Sequence, residues 1–177
     1  MVELNMKNLI ALIILTLVGL KCETNERTKY FAGLLEIPVT MPTLAPEISQ
    51  TTIDIAVLAF NIKIPLHCNY PKLDMKLPAR GMTILSSFSN NKIVTIGKPA
   101  FTSWGLLGST LGHEIEVHCN QDLAMLVMMD IAGLKGVCKA EREAYVFEIN
   151  NAKRFGLTKD QVDDIKDTME HYYSSCK

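Results

Sequence analysis

The run Gly112-His113-Glu114-Ile115-Glu116-Val117-His118-Cys119 places two histidines and two glutamates within six residues, in a chain with only four histidines. It continues an apolar helical pattern through Trp104, Leu107 and Leu111, which Thr102 or Ser103 can cap. Residues four apart in a regular helix lie about 40° apart around its axis and can serve one point. His113 and His118 are five apart and diverge by about 140°, so an undistorted helix aims them badly. A π-bulge between them would absorb the extra residue, and such bulges concentrate at functional sites. A second pairing needs no distortion: Glu114 and His118 are four apart and share a face, which would leave His113 in a supporting role.

The rest of the chain has to build a frame for that helix. With 177 residues it is long enough for one domain with a real core and too short for two comfortable ones. A net charge of −1 removes any broad electrostatic case for nucleic acid or for anionic membrane surfaces. Residues 1–22 read as a signal peptide. Lys7 precedes an apolar run from Leu9 to Leu20, too short to span a bilayer, and Met6 offers an alternative start. The ending Val18-Gly19-Leu20-Lys21-Cys22 resembles a bacterial lipoprotein signal, which implies that Cys22 carries a lipid. The expectation is an exported protein: a bacterial lipoprotein of the outer membrane or the periplasmic side, otherwise a secreted one. With Cys22 set aside, four cysteines remain, enough for two disulfides, and Cys119 with Cys138 is the favoured pair.

Residues 23–46 contain Pro38 and Pro42 and end at Pro46, and read as a linker before a single domain at 47–177. A long apolar run from Pro46 to about Ile62 suits a helix. Pro65, Pro71 and Pro78 then punctuate a loop. Met82–Phe88 and Lys92–Gly97 are β-type runs joined by Ser89-Asn90-Asn91, as in a hairpin. After the His-Glu helix comes an apolar helix from Asp122, whose Met125, Met128 and Met129 read as core filler. Lys139–Phe155 is a further helix closed by Gly156, and Thr158-Lys159-Asp160-Gln161 is a capping box opening a last amphipathic helix. Helix, hairpin and four helices make an α+β domain.

Two histidines do not make a hydrolytic zinc site; a third protein ligand and an open position are needed. The helix Ala140-Glu141-Arg142-Glu143-Ala144-Tyr145-Val146-Phe147-Glu148 supplies a candidate. At 100° per residue, Glu141 and Glu148 fall in the middle of the face carrying Ala144, Tyr145, Ile149 and Phe155, while Glu143 points away. A carboxylate centred on an apolar stripe needs a partner, either a metal ion or a salt bridge to arginine or lysine.

A strand, a helix with His-Glu and a second His, and a later helix with an inward Glu together resemble the gluzincin metallopeptidases in compact form. Glu141-Arg142-Glu143-Ala144-Tyr145 is similar to the E-x-E-A-D pattern of that class, with Tyr145 standing where the class keeps Asp. The dipeptidyl peptidase III family resembles this chain in its H-E-x-x-x-H spacing. The resemblance implies Zn²⁺ held by His113, His118 and Glu141, and Glu114 as general base. Tyr145 and Glu148 would lie behind the ligands, and the substrate would be a peptide or protein. Strand Lys92–Gly97 is expected to pair with an extended substrate, and Tyr145 or His67 to assist the oxyanion. The competing expectation is a non-enzymatic surface lipoprotein that binds a partner and keeps a structural or degenerate metal site.

Overall fold

The computed structural model describes residues 44–87 and 91–176, all within one compact unit, Met41–Lys177. The expected signal peptide at 1–22, the lipid-bearing Cys22 and nearly all of the 23–46 segment lie outside the described residues. Among the described residues the architecture is α+β: six α-helices and a three-stranded sheet. No helix among them is long and apolar enough to cross a membrane.

Helix α1 (Gln50–Ala59) starts later than Pro46, because Ser49 is its N-cap and accepts a hydrogen bond from the Thr52 amide at 3.1 Å. It buries Ile53, Ala56 and Val57 against the sheet and the His-Glu helix. Strands β1 (Lys72–Asp74), β2 (Gly81–Leu85) and β3 (Lys92–Gly97) follow, in the spatial order β1-β3-β2. The hairpin is present, with β2 antiparallel to β3 from Gly81↔Ile96 to Leu85↔Lys92. Strand β1 was not expected. It pairs in parallel with β3 through Lys72↔Thr95 and Asp74↔Gly97, inside the stretch that its prolines mark as loop. A three-residue strand is too short to show an alternation. Its presence makes β3 the central strand, with Val94 and Ile96 fully buried, so β3 cannot pair with a substrate. The edge strands are β1 and β2, and β2 is the one that lines the larger cavity.

A short 3₁₀ segment (Lys98–Thr102) leads into α2 (Trp104–Leu111), whose N-cap Ser103 accepts from the Leu106 amide. Leu107 and Leu111 on its inner face, and Ile115 in the turn that follows, are fully buried, and such burial stabilises by roughly 1.5–3 kcal/mol per side chain. Then α3 (Leu123–Ile131), α4 (Gly136–Asn150) and the short α5 (Ala152–Phe155) run on to Gly156, which closes α5 at φ 66°. Helix α6 (Lys159–Tyr173) opens with the capping box intact: Thr158 takes the Gln161 amide, and Gln161 takes the Thr158 amide. Gly112 lets the His-Glu helix sit close on α4 and α5. A Cβ there would lie 2.7 Å from Phe155 Cζ and 2.9 Å from Phe147 Cε1.

Two expectations are corrected. Cys119 pairs with Cys68 rather than Cys138, at a Cα separation of 6.0 Å, and Cys138 pairs with Cys176 at 5.9 Å. Each bridge joins segments far apart in sequence (51 and 38 residues), which spacing along the chain does not reveal. The Met-rich helix is not core either: α3 buries none of its residues, and Met125 and Met128 are 58% and 63% exposed. It packs on α4 and touches β2, and much of its apolar surface stays open.

Candidate metal centre

The extra residue between the histidines is absorbed as anticipated. After α2 the helix widens into a π-helical turn, Gly112–Val117, and tightens into a 3₁₀ turn, His118–Asn120. His113 and His118 thereby converge: their Nε2 atoms are 3.1 Å apart and both rings are buried. Glu141 on α4 faces them, one carboxylate oxygen 3.7 Å from His113 Nε2 and the other 3.4 Å from His118 Nε2. His113, His118 and Glu141 form a cluster whose ligand atoms all lie within 4.8 Å of one another.

The donor set can be tested against a metal ion. Ligand atoms around a tetrahedral ion with bonds of about 2.0–2.1 Å sit about 3.3–3.4 Å apart. The Nε2–Nε2 separation of 3.1 Å is close to that value, the 3.4 and 3.7 Å contacts are made by different oxygens of Glu141, and one ligand atom from each residue lies within 4.8 Å of the others. Tautomers give a second test. His113 Nδ1 lies 2.7 Å from Glu148 Oε1, and an ionised carboxylate only accepts, so Nδ1 carries the proton. His118 Nδ1 lies 2.7 Å from Gln121 Oε1. The amide end of Gln121 is fixed the other way round, because its nitrogen donates to Glu143 Oε2 at 2.8 Å and to the Ala140 carbonyl at 3.3 Å. With both imidazoles neutral and protonated at Nδ1, bare lone pairs would face one another at 3.1 Å; without a metal, the raised pKa of His113 instead favours a second proton on its ring. A cation between them resolves the conflict, and so does a shared proton.

Both histidines are oriented from behind, as metal-binding histidines usually are. Glu148 is fully buried and accepts four hydrogen bonds: two from the Arg80 guanidinium (2.9 and 3.1 Å), one from Ser109 Oγ (2.6 Å) and one from His113. It satisfies both readings of an inward carboxylate at once, bridging to an arginine and supporting a ligand. Burial opposes its ionisation, but His113 and Arg80 outweigh that and hold it down at about 2. Burial likewise disfavours the charge on Glu141, and hydrogen bonds from His113 and His118 bring it to about 2. In His113 burial pulls downward, and the carboxylates Glu141 and Glu148 carry the ring up to about 9. Tyr145 packs edge-on against His113 with ring centroids 5.2 Å apart, so it touches a ligand through its ring rather than through a carboxylate. The turn bearing His118 is pinned by the Cys68–Cys119 disulfide, by His67 Nε2 at 2.6 Å from the Cys119 carbonyl, and by buried Lys92. The Lys92 ammonium donates to the carbonyls of Cys119 and Gln121. His67 is thus engaged at the turn and away from the two cavities.

Glu114 stands outside the His113, His118 and Glu141 cluster, so the Glu114 with His118 pairing is not the one adopted. Its carboxylate is buried under β2 and accepts from Thr83 Oγ1 at 2.7 Å. Burial raises its pKa, opposed by the neighbouring histidines. Gly81 makes this approach feasible, since a Cβ there would lie 2.5 Å from Glu114 Oε1.

Two cavities open on this centre. One, of about 600 Å³, runs between β2 and α3, with Glu114, His118 and Glu141 along its floor and Met82, Ile84, Val127 and Met128 on its walls. The other, of about 250 Å³, is more polar, shares Glu114 and Glu141 with the first, and is bordered by Arg80, Thr110, His113, Tyr145 and Tyr173. Burial and the Glu141 charge push the Tyr173 phenol up to about 12. Sequence reasoning brought His113, His118, Glu141, Glu114, Tyr145 and Glu148 to one place. It missed Arg80, Thr83, Lys92, Ser109, Gln121 and Tyr173, of which only Gln121, three residues after His118 in a polar turn, left a local signal. Comparison with protein-family models, with curated proteins and with solved structures returns no match.

Proposed function

We propose that this protein is a zinc-dependent peptidase of gluzincin type, exported and anchored through a lipid on Cys22. The observation that carries the reading is the convergence of His113, His118 and Glu141, both histidines held from behind by Glu148 and Gln121, with the separate buried carboxylate Glu114 beside them. Zinc suits two imidazoles and a carboxylate, and when bound it polarises a carbonyl and acidifies water. The chain's own groups do the rest. Glu114, its pKa raised by burial, accepts the proton of the attacking water at a carboxylate oxygen and passes it to the leaving amine. Thr83 fixes that carboxylate. The free edge of β2 orders an extended peptide along the apolar cleft by main-chain hydrogen bonds, taking the role expected of β3. Glu148 and Gln121 keep both Nε2 atoms unprotonated and aimed inward. Two disulfides suit an oxidising compartment, in keeping with export. Nucleic acid has no place in this reading.

The test is Glu114→Gln. The variant should retain about one zinc per chain and lose peptide hydrolysis by about 10²–10⁴-fold, the usual worth of a general base. Equal activity in the variant would remove Glu114 from the chemistry. A second reading, a partner-binding surface lipoprotein, draws on the exposed apolar surface of α3, where Met125, Met128 and Ile131 are all more than half exposed. Zinc-loaded protein that cleaves no peptide would favour it.

A further inference from the structure

Sulfur is divided between two environments in this fold. Cys68, Cys119, Cys138 and Cys176 are all bound in disulfides, so no cysteine thiol among the described residues is free to meet an oxidant. The oxidisable sulfur left there is the thioether of methionine. Met169 is buried in α6, and Met129 is half-buried against Gly136 of α4. Met75, Met82, Met125 and Met128 are exposed.

Two of those four stand at the candidate site. Met82 on β2 is 40% exposed and Met128 on α3 is 63% exposed, and both wall the cleft of about 600 Å³ that has Glu114, His118 and Glu141 on its floor. Apart from Thr83, the walls carry apolar side chains only, among them Ile84, Leu85, Val127 and Val137. The Thr83 hydroxyl is already given to Glu114. An unbranched thioether adapts to apolar partners of different shape, which suits a cleft that receives peptide side chains. The exposure that makes these two methionines available to a substrate also opens their sulfur atoms to a peroxide. Met75, beyond β1, is as open but lines neither cavity.

We propose that Met82 and Met128 form an oxidation-sensitive modification site that sets the affinity of the cleft for apolar peptides. The proposal rests on the peptidase reading, and the oxidant is hydrogen peroxide. The thioether sulfur attacks one peroxide oxygen, the O–O bond breaks and hydroxide leaves. The proton of the transferred oxygen passes to that hydroxide, so the products are methionine sulfoxide and water. Sulfur gives up two electrons and the peroxide takes them. Each sulfoxide replaces an apolar chain with a polar one. Its oxygen must shed water when an apolar side chain packs on it, and the walls offer no free donor in return. His113, His118 and Glu141 contain no sulfur, so the metal centre keeps its ligands. Sulfoxides are reduced enzymatically, which makes the modification reversible.

The experiment treats the full zinc-loaded chain with hydrogen peroxide, removes the excess, and compares native protein with a Met82→Leu/Met128→Leu double variant and with Met75→Leu. Leucine keeps the walls apolar and close to their native volume. Mass spectrometry of digested protein locates the added oxygens, which should fall on Met75, Met82, Met125 and Met128 and spare Met169. Native KM for a peptide with apolar residues on both sides of the cleaved bond should rise about tenfold, with kcat and zinc content unchanged, the mark of lost uniform binding. Incubation with the methionine sulfoxide reductases for both epimers should restore it. The double variant, whatever its starting KM, should keep that value through the treatment, while Met75→Leu should respond as native does. Three results would each overturn the proposal and leave the peptidase reading standing: Met82 and Met128 that resist peroxide, an unchanged KM once both are sulfoxides, or a double variant that loses as much as native. Zinc-loaded native protein that cleaves no peptide overturns both.

Discussion

Glu148→Gln isolates the charge on which the ligand support depends. The substitution keeps shape and volume, yet it puts an NH₂ group where an oxygen accepted two of four donors. If the remaining oxygen keeps His113, the new amide faces Arg80 Nη1 and Ser109 Oγ, which now approach at 3.1 and 2.6 Å. Serine can rotate to accept; the guanidinium cannot. One charge-assisted bond is lost and the others weaken, and such bonds are worth about 1.5–3 kcal/mol each. The Arg80 side chain is 25% exposed, so water recovers part of the loss. The expected cost is about 3 kcal/mol in the metal-free, disulfide-intact protein, or roughly 10 °C in Tm for a domain of this size. Urea unfolding followed by circular dichroism measures it. Zinc affinity, measured by chelator competition, should fall about 10–100-fold because His113 loses its anionic partner. Stability within 1 kcal/mol of native together with unchanged zinc affinity would refute the role given to Glu148.

Other outcomes follow from the same geometry. Glu141 and Glu148 have folded-state pKa values near 2 against ordinary values of 4.5, so their contribution to stability is present above about 4.5. Metal-free protein should therefore lose stability as pH falls from 4.5 towards 2, and an acid titration without a transition in that window would contradict the assignment. Removing the Cys68–Cys119 bridge, which spans 51 residues, should cost about 4 kcal/mol by the chain-entropy estimate and should also weaken zinc binding, because Cys119 follows His118 directly. Gly81→Ala should drive β2 off Glu114 and lower kcat more than it lowers Tm, as read by paired kinetics and thermal unfolding.

The sequence was most readable where one helix sets its own pattern. The π-turn at Gly112–Val117 follows from a spacing that an ordinary helix cannot serve, and the inward face of Glu141 and Glu148 follows from 100° steps. Ser103 and the Thr158 capping box marked helix starts through chemistry confined to a few residues. Long-range partners left no such trace. The Arg80–Glu148 pair, separated by 68 residues, and the carbonyls gripped by Lys92 exist only after the chain closes. The disulfides were mispaired for the same reason. Strand β1 was hidden by its length, and missing it misassigned the free edge to β3. Helix α3 misled differently: it is apolar on every side, which reads as buried, yet the fold leaves it as one wall of an open cleft.

Elemental analysis of purified protein after equilibration with zinc and removal of excess tests the central claim most directly. The arrangement of His113, His118 and Glu141 predicts one zinc per chain, lost on Glu141→Ala and on His118→Ala while the disulfide-bonded fold persists. Folded native protein that takes up no zinc, or that retains it without Glu141 and His118, would contradict it.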